Sequence, residues 1–501
     1  MSAPSEDCDL LVVGGGINGA GIARDAAGRG LDVLLCEQHD LAQHTSSAST
    51  KLIHGGLRYL ELYEFRLVHK ALAEREVLLD AAPHLLRPRR FVLPHEPHLR
   101  PAWMIRVGLF LYDHLARRRR LPASETVDLR RHPAGAPLRR ADRPGFVYSD
   151  GWVDDARLVV LNALDARERG ARIRTRTRCA RVVREHGAWT ATLIEDGGAR
   201  YLVRARGVVN AAGPWVGAFL DQATPIRARR AVRLVKGSHV IVPRLFDHHF
   251  AYIFQNVDRR IIFAIPYEQQ FTLIGTTDVD YHGDPARPAI GPDEVTYLCE
   301  LANRYFTRSI VPADVVASYS GVRPLLEDEA ADPSSVTRDY RFELDFDGPP
   351  LLSVFGGKIT TFRRLAEEAL DHLLPALGRQ AAPWTRSAAL PGGDMPRRDF
   401  EAFRSHLGER LPAFAPALLD RWARAYGTRL TRVIGAARSA AELGEEVLPG
   451  LFAAELHYLR VHEWAHSAED ILWRRSKLGL HLPAGAAATL EAWLARQPVK
   501  R

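Results

Sequence analysis

The stretch DLLVVGGGINGAGIARDAAGRGLDVLLCE, residues 9–37, decides the fold of this chain. A short apolar run at 10–13 breaks into three glycines, Gly14, Gly15 and Gly16. A segment with helical periodicity and many small residues follows, and a second apolar run at 33–36 ends in Glu37. This order predicts strand, glycine turn, helix and strand, which is the unit that opens a doubly wound α/β domain.

The glycine spacing predicts a dinucleotide site. Gly14, Gly16 and Gly19 fit G-x-G-x-x-G, which provides a tight turn, a bare backbone for a pyrophosphate and close packing of helix on strand. The helix N-terminus also offers free N–H groups to an anion. Glu37 stands where such folds place a carboxylate for ribose hydroxyls, and an acid there favours FAD or NAD over NADP. The alternative is a glycine turn in an α/β domain without a ligand.

Composition narrows the class of protein. The chain has 501 residues and is 46% hydrophobic, which suits two or three domains. Its four cysteines, Cys8, Cys36, Cys179 and Cys299, are scattered, so we expect neither a disulfide framework nor a metal site, and a reducing compartment fits best. The N-terminal residues lead directly into the first strand without the pattern of a signal peptide.

The positive charge is distributed unusually. The net charge is +8, and the basic residues include only six lysines. Lys51, Lys236 and Lys358 lie in polar or glycine-rich motifs (STKLIHGG, VKGSH and GGKIT) instead of on helix faces. Because the chain otherwise uses arginine for positive charge, we expect that these three positions need a compact ammonium group.

One segment has the character of a membrane-surface helix. Residues 98–120 combine an apolar run with the arginines 117–120. The longest nearly apolar run, 103–112, includes Arg106 and is too short to span a bilayer. The segment predicts either a helix lying on anionic lipid or a buried helix that ends in solvated arginines, and the sequence leaves both open.

Later segments extend the domain organisation. Residues 172–179 alternate arginine with less polar residues, which predicts a strand with one basic, solvated face. From about 230 to 345 the pattern is one of short alternating strands, and 351–374 returns to strand, double glycine and helix. His462, Glu463 and His466 satisfy H-E-x-x-H, but no third ligand follows at a suitable spacing, so we interpret the match as accidental, on a helix surface.

Several long motifs together resemble one family. GGGINGAGIARDAAGRG, TSSASTKLIHGGLRYLE, YSDGWVDDARLV, VNAAGPWV, KGSH, IGTTD, YSGVRPL, FGGKITT and HEWAHSAEDILWRRSKLGL are similar to the FAD-dependent sn-glycerol 3-phosphate dehydrogenases of the aerobic, quinone-linked type. The resemblance covers nearly the whole chain, apart from linkers and residues 121–145.

The resemblance implies an α/β fold in three parts. These are a Rossmann-like, glutathione-reductase-like FAD domain, an inserted, mainly antiparallel β substrate domain, and a C-terminal α-helical domain. The expected FAD parts are about 1–95, 150–230 and 346–383, the substrate part is about 231–345, the linker is 384–397 and the helical domain is 398–501. The expected FAD contacts are Gly14, Gly16, Gly19, Glu37, Ser46, Ser47, Lys51, Gly213, Gly356 and Thr360, with a backbone contact near Cys179 as a weaker expectation.

The family's chemistry is the oxidation of glycerol 3-phosphate to dihydroxyacetone phosphate. A phosphate dianion suits guanidinium and ammonium groups, and the motif positions for it are Arg58, Tyr59, Arg323 and Lys358, with Arg338 and Thr277 as second choices. Histidine has a pKa suited to taking the hydroxyl proton. His54 and His239 are therefore the catalytic candidates, together with Arg323, whose alternative role is an internal salt bridge.

The resemblance also implies partners. Electrons would pass to ubiquinone or another membrane quinone, with the enzyme peripherally bound to the anionic inner face of a bacterial cell membrane, and a homodimer is one possible assembly. The rival interpretations are an oxidase that uses oxygen, a flavin-dependent amine oxidase of the same superfamily, and an RNA-binding flavoprotein. No aromatic stacking platform accompanies the basic residues, so we expect no nucleic-acid partner.

Overall fold

The computed structural model describes residues 5–61, 63–256, 260–326 and 339–497. Its strands are β1 Ser5–Val13, β2 Val33–Cys36, β3 Leu52–Ile53, β4 Leu86–Pro94, β5 Glu125–Asp128, β6 Pro144–Val153, β7 Arg172–Arg174, β8 Thr177–Glu185, β9 Ala188–Glu195, β10 Arg200–Asn210, β11 Val232–Pro243, β12 Ala251–Gln255, β13 Ile261–Tyr267, β14 Phe271–Gly275, β15 Val279–Asp280, β16 Ala317–Leu326, β17 Arg341–Asp345, β18 Leu351–Phe355, β19 Glu446–Leu448 and β20 Leu451–Phe452. Its α-helices are α1 Ile17–Gly28, α2 Arg58–Glu61, α3 Phe65–Ala81, α4 Ala102–His114, α5 Asp155–Glu168, α6 Val216–Ala223, α7 Pro292–Tyr305, α8 Phe362–Ala376, α9 Phe400–Arg410, α10 Pro416–Tyr426, α11 Leu430–Ile434, α12 Ala453–Glu463 and α13 Ala486–Arg496.

The first sheet forms the dinucleotide-binding layer. Its order is β17-β18-β10-β1-β2-β7, with β8 and β9 attached beside β10. The strands β18, β10, β1, β2 and β7 run parallel, so their carboxyl ends meet at one edge. Helix α1 packs between α5 and α8 on one face, and its small residues, such as Ala20 and Ala23, are fully buried there. The predicted strand, turn, helix and strand are confirmed, and so is the α/β fold class.

The second sheet is mainly antiparallel. Its order is β15-β11-β14-β13-β12-β4-β6-β3, with β16 paired to β11 and β5 paired to β6. Strands β3, β4 and β6 belong to this sheet, although β3, β4 and the end of β6 (150–153) fall in the ranges expected for the FAD parts. Conversely, β17 lies on the first sheet although it was expected in the substrate part. The strand pattern gives the two faces of a strand but not its distant partner.

The C-terminal region has its own hydrophobic core. This core contains buried residues from Met395 to Leu494 and is separate from the cores around the two sheets. The region is mostly helical, as expected, but β19 and β20 form a short hairpin that the sequence interpretation did not include. The linker is anchored to helix α1, since the indole of Trp384 donates to the carbonyl of Asp25 (3.2 Å). No helix within the described residues has the length and apolarity needed to cross a bilayer.

Candidate active site

The first cavity lies at the carboxyl ends of β1, β2 and β10 and has a volume of about 450 Å³. The N-terminus of α1 opens onto it through Gly16, and Gly213 follows from the β10 side. The segment Thr177–Ala180 contributes a further wall, which includes the expected position at Cys179. A ligand in this cavity therefore meets several backbone groups and one helix N-terminus, as a pyrophosphate requires.

The glycines shape this cavity through close backbone contacts. Gly14 has a φ of +110°, and a Cβ added there would lie 2.5 Å from the carbonyl oxygen of Ala211. A Cβ on Gly19 would lie 1.9 Å from the carbonyl oxygen of Gly14. Gly19 therefore packs the helix against the turn and does not line the cavity itself. The arrangement fits the adenosine diphosphate half of FAD.

Glu37 is the acidic residue of this cavity. Its carboxylate accepts hydrogen bonds from the backbone N–H of Gly15 (2.6 Å) and of His39 (2.8 Å). Burial raises the pKa of Glu37, and these two N–H donors partly oppose the rise. Since a carboxylate has about four acceptor positions, two remain for ribose hydroxyls.

The second cavity adjoins the first and has a volume of about 280 Å³. The two share Ile17, Ser46, Pro324 and the turn Gly356–Gly357, so a long ligand can pass from one to the other. Ser46 accepts a hydrogen bond from the N–H of Ile17 (3.0 Å) at the start of α1. Thr360 also lines the second cavity. This connected space fits FAD with its adenosine diphosphate end in the first cavity and its flavin ring in the second.

Two cationic side chains, Lys358 and Arg323, line the second cavity. The ammonium of Lys358 lies 4.1 Å from the ring centre of Tyr59, and both residues line the cavity. Arg323, on β16, also lines it and forms an ion pair with Asp278. The same guanidinium donates to the carbonyl of Thr277 (3.3 Å). These cations lie where an anionic substrate next to a flavin would bind.

Two histidines face the second cavity in different environments. The ring of His54 is partly exposed, and its backbone N–H donates to the Thr360 hydroxyl (3.4 Å). His239 is buried and stacked on Tyr319, with ring centres 4.8 Å apart, and its Nε2 lies 3.0 Å from the Thr50 hydroxyl. Burial, followed by the charges of Lys51 and Arg323, lowers the pKa of His239 to about 3. His239 is therefore neutral at physiological pH.

Some predicted residues stand away from the two cavities. Lys51 is buried, with its ammonium 2.7 Å from Asp155, and Ser47 donates to the carbonyl of His44 (3.2 Å). The Thr277 hydroxyl accepts from the N–H of Ser238 (3.0 Å) and donates to Glu294 (2.8 Å). None of the three lines either cavity, so a direct role for their side chains in ligand binding is not supported by this geometry.

Two predicted cations fall outside the described parts of the chain. Arg338 is not among the described residues. Arg58 begins α2, but its side chain is not described. Their roles stay predictions.

The sequence interpretation missed several residues of the site. Asn18, inside the glycine motif, lines the first cavity with its amide oxygen buried and without a hydrogen-bond partner. Thr50 and Thr276 line the second cavity. All three lie inside the motifs quoted above. Their position next to a predicted site residue was the signal that could have identified them.

The H-E-x-x-H match has a different explanation. Helix α12 ends at Glu463, and Trp464 has a φ of +53°, so the two histidines do not share one helical face. Glu463 is buried and ion-paired with Arg157. The expectation of a surface position was wrong for Glu463, because its partner lies 306 residues away in the sequence.

Comparisons with known proteins agree with this geometry. The FAD dependent oxidoreductase family matches residues 9–363, and the C-terminal domain of alpha-glycerophosphate oxidase matches residues 383–495. The chain is 56% identical to a glycerol-3-phosphate dehydrogenase of Pseudomonas aeruginosa, over 98% of this chain and 96% of that protein. It is 49% identical to the aerobic glycerol-3-phosphate dehydrogenase of Escherichia coli, over 99% of each chain.

Two further similarities bear on substrate and cofactor. The chain is 51% identical to a D-erythritol 1-phosphate dehydrogenase of Brucella abortus, over 98% of each chain. The solved structure of a Bacillus halodurans glycerol-3-phosphate dehydrogenase complexed with FAD has a TM-score of 0.78 and 27% identity, covering 98% of this chain and 90% of that one.

The neutral state of His239 predicts acid sensitivity. Its pKa is about 3 in the folded chain, against 6.5 as the ordinary value. Between these values the unfolded chain binds the extra proton, so stability is complete above pH 6.5 and is lost as the pH falls. At pH 5 the loss from this group is about 2 kcal/mol.

The test compares denaturant unfolding of the wild-type chain and His239→Gln at pH 7.5 and pH 5. We expect the variant to lose less stability on acidification. The exposed His406, changed to Gln, is the control and should leave the difference unchanged. Equal acid sensitivity in all three chains would contradict the neutral, buried state of His239.

Proposed function

Because this chain belongs to the FAD-dependent oxidoreductase family, among the glycerol-3-phosphate dehydrogenases, we propose that it oxidises sn-glycerol 3-phosphate to dihydroxyacetone phosphate and passes the electrons to a membrane quinone. The observation that carries the proposal is the pair of cations, Lys358 and Arg323, in the cavity that adjoins the dinucleotide cavity. Bound FAD supplies the acceptor for the hydride removed from the substrate.

The phosphate would bind between Lys358 and Arg323. The Lys358 ammonium lies over the Tyr59 ring and carries three N–H donors, and both residues line the cavity. Arg323 is held by Asp278, so its charge is partly neutralised and its orientation is fixed before the substrate arrives. A phosphate dianion needs charge-assisted donors of this kind, whereas a neutral triol does not.

His54 is the better candidate for the base that takes the hydroxyl proton. A general base works best when its pKa lies near the working pH, and His239 has a pKa far below that range. Neutral His239, whose Nδ1 is buried without a partner, instead suits a hydrogen bond that orients the substrate or the cofactor. Its contact with Thr50 and its stacking on Tyr319 fix the ring for that purpose.

The similarity to a D-erythritol 1-phosphate dehydrogenase supports a second candidate substrate. That relative has nearly the same identity to this chain as the glycerol-3-phosphate dehydrogenases. Both substrates are polyol phosphates, so the cation pair would bind either one. A glycine oxidase of Geobacillus kaustophilus also shares the fold, with a TM-score of 0.54 and 19% identity, which shows the fold alone.

The membrane part of the proposal rests on helix α4. Trp103, Val107, Phe110 and Leu111 recur on one face of this helix, and Trp103 and Phe110 are 66% and 54% exposed. Exposed Tyr63 and Phe65 extend this surface, and Arg100 and Glu61 (3.7 Å) connect the two segments. We call these six aromatic and aliphatic side chains the apolar patch. It suits insertion into the interfacial region of a lipid leaflet.

Basic residues beside the patch add a weaker attraction to anionic lipid. Arg66 and Arg117 are exposed, and neither forms an ion pair with a carboxylate of the residues that the structure describes. The other arginines of the 117–120 run are partly neutralised, since Arg118 pairs with Asp113 and Arg120 with Asp80. The apolar side chains therefore provide more of the expected affinity than the arginines do.

The position of the patch supports a quinone as electron acceptor. Tyr63 is four residues from Tyr59, which lines the second cavity. A quinone dissolved in the leaflet would thus approach the flavin end of the connected cavities. The four cysteines are free and buried, which agrees with the reducing inner side of a cell membrane. Oxygen is the alternative acceptor, as the matched alpha-glycerophosphate oxidase C-terminal domain suggests.

The substrate proposal predicts selective bleaching of the flavin. Under anaerobic conditions, glycerol 3-phosphate should bleach the yellow protein at low concentration, whereas glycerol and lactate should not. Lys358→Met removes a charge-assisted contact worth about 1.5–3 kcal/mol, so the concentration for half-bleaching should rise roughly 10- to 100-fold.

Lys70→Met is the matched control, because Lys70 pairs with Glu368 (3.2 Å) outside both cavities. Equal bleaching by glycerol would contradict the phosphate pocket. A lower concentration for half-bleaching with D-erythritol 1-phosphate than with glycerol 3-phosphate would identify the tetritol phosphate as the preferred substrate.

The assignment of the base predicts different effects for the two histidines. His54→Gln should lower the limiting rate of flavin bleaching by roughly 10²- to 10⁴-fold at neutral pH and remove the acidic limb of its pH profile. His239→Gln should leave the position of that limb unchanged, since His239 stays neutral there. Loss of the limb in His239→Gln alone would exchange the two roles.

The apolar patch predicts lipid binding that depends on two aromatic residues. Trp103→Ser together with Phe110→Ser should weaken partition onto anionic phospholipid vesicles by about tenfold or more, given about 1.5–3 kcal/mol for a fully buried aromatic side chain. Phe346→Ser is the control, because Phe346 is 49% exposed elsewhere on the surface.

The same double variant should reduce quinone in vesicles more slowly while its anaerobic bleaching stays normal. Vesicle binding that is unaffected by the double variant would exclude the patch as the lipid contact. Rapid oxygen uptake without quinone would favour the oxidase alternative.

A further inference from the structure

A buried ionic cluster joins the C-terminal domain to the loop after β2. The guanidinium of Arg475 binds Asp40 through both nitrogens, Nη1 at 2.7 Å and Nη2 at 2.8 Å, and both side chains are fully buried. Arg474 donates to the same carboxylate through Nε at 2.6 Å. We call this contact of Asp40 with Arg474 and Arg475 the Asp40 clamp. Its members are 434 and 435 residues apart in the sequence.

The clamped loop is the loop that forms the cofactor cavity. Asp40 is three residues from Glu37, and Gln38, Gln43 and His44 of the same loop also line the first cavity. The loop is tied to the glycine turn, since the N–H of Ala42 donates to the carbonyl of Gly15 (3.2 Å). A displacement of Asp40 would therefore move Glu37 relative to the glycine turn.

A second contact from the same domain holds the opposite wall. Asp470 accepts from Arg176 at 2.7 Å and from Arg474 at 2.5 Å. The backbone N–H of Arg176 donates to the carbonyl of His39 (2.8 Å), and the next N–H, of Thr177, donates to the carbonyl of Glu37 (2.7 Å). Arg178 and Cys179, which follow, line the cavity. The C-terminal domain thus contacts both segments that enclose the acidic residue.

Buried ion pairs of this type are poor devices for stability alone. Desolvation of the charges offsets much of their attraction, and apolar residues of similar volume often stabilise a core equally well. A bidentate guanidinium contact does fix direction and distance, which an apolar contact does not. The cluster is therefore better suited to positioning the loop than to adding stability.

From these contacts we infer that the C-terminal domain is a working part of the FAD site, in which the Asp40 clamp positions the loop carrying Glu37 and thereby slows the release of FAD. Asp40, Arg474, Arg475 and Arg176 are positioning residues that act through the loop. A preformed loop spares the bound state the entropy of ordering it. This inference rests on the FAD cofactor and does not depend on the proposed substrate or electron acceptor.

The test measures FAD release from the holoenzyme by the recovery of free-flavin fluorescence after dilution. Asp40→Asn removes the acceptor charge, and Arg475→Lys keeps the charge but loses the bidentate fork. Each should speed release by about tenfold or more, the equivalent of about 1.4 kcal/mol in affinity. The KM for substrate should stay at the wild-type value, because the second cavity is not touched.

Glu455→Gln is the matched control. Glu455 is fully buried and binds Arg421 through two hydrogen bonds (2.6 and 2.7 Å), but this pair lies inside the C-terminal domain and away from the cofactor loop. The control should lower the melting temperature without changing the rate of FAD release. A general loosening of the domain would affect both measurements.

Arg176→Gln provides a milder variant if the buried changes prevent folding. The side chain of Arg176 is 27% exposed, so its loss is tolerated more easily, and we expect a smaller but measurable acceleration. Wild-type release rates in the folded clamp variants would overturn the inference. So would a control variant that releases FAD as fast as Asp40→Asn.

Discussion

The contact between Gly19 and the carbonyl of Gly14 is the constraint on which the rest of the structure depends. A Cβ on Gly19 would lie only 1.9 Å from that oxygen, so no side chain fits there. The first turn of α1 therefore packs directly against the end of the strand. This closeness directs the helix N-terminus into the first cavity. It also brings Gly15 near enough to donate to Glu37, which connects the helix, both strands and the ribose position in one unit.

A second glycine turn completes the site from the far end of the chain. Gly356–Gly357 borders both cavities, and Asn18 on α1 donates to the carbonyl of Gly356 (3.2 Å). The second sheet then supplies the side chains that the dinucleotide unit lacks, Arg323 from β16 and His239 from β11. These two strands are paired, so the cation and the neutral histidine are held on one frame. Arg323 and His239 thus come from the second sheet, whereas Lys358 and the second glycine turn follow β18 of the first sheet.

Charge is organised differently inside and outside the cavities. Lys51 and Lys236 lie in motifs similar to that of Lys358, yet Lys51 pairs with Asp155 and Lys236 with Glu294 (2.8 Å), while Lys358 faces Tyr59 in the cavity. The arginines of 172–176 likewise form ion pairs instead of one solvated face, and the chain turns at Arg176 to form two strands. The ammonium groups of Lys51 and Lys236 are therefore held in internal ion pairs, whereas that of Lys358 lies at the cavity.

The sequence by itself determined the dinucleotide unit, because this unit follows from local spacing: glycines where a Cβ does not fit, and an acid one strand later. The family and the FAD cofactor followed from the resemblance of several long motifs, and these motifs contain the predicted residues that line the cavities. Only the tertiary structure decided that β4 belongs to the second sheet, that Thr277 faces Glu294, that His239 is neutral and that Asp40 meets Arg475. Each of these depends on burial and on partners far away in the chain. Desolvation and ion pairing act through space, so local patterns along the chain do not reveal them.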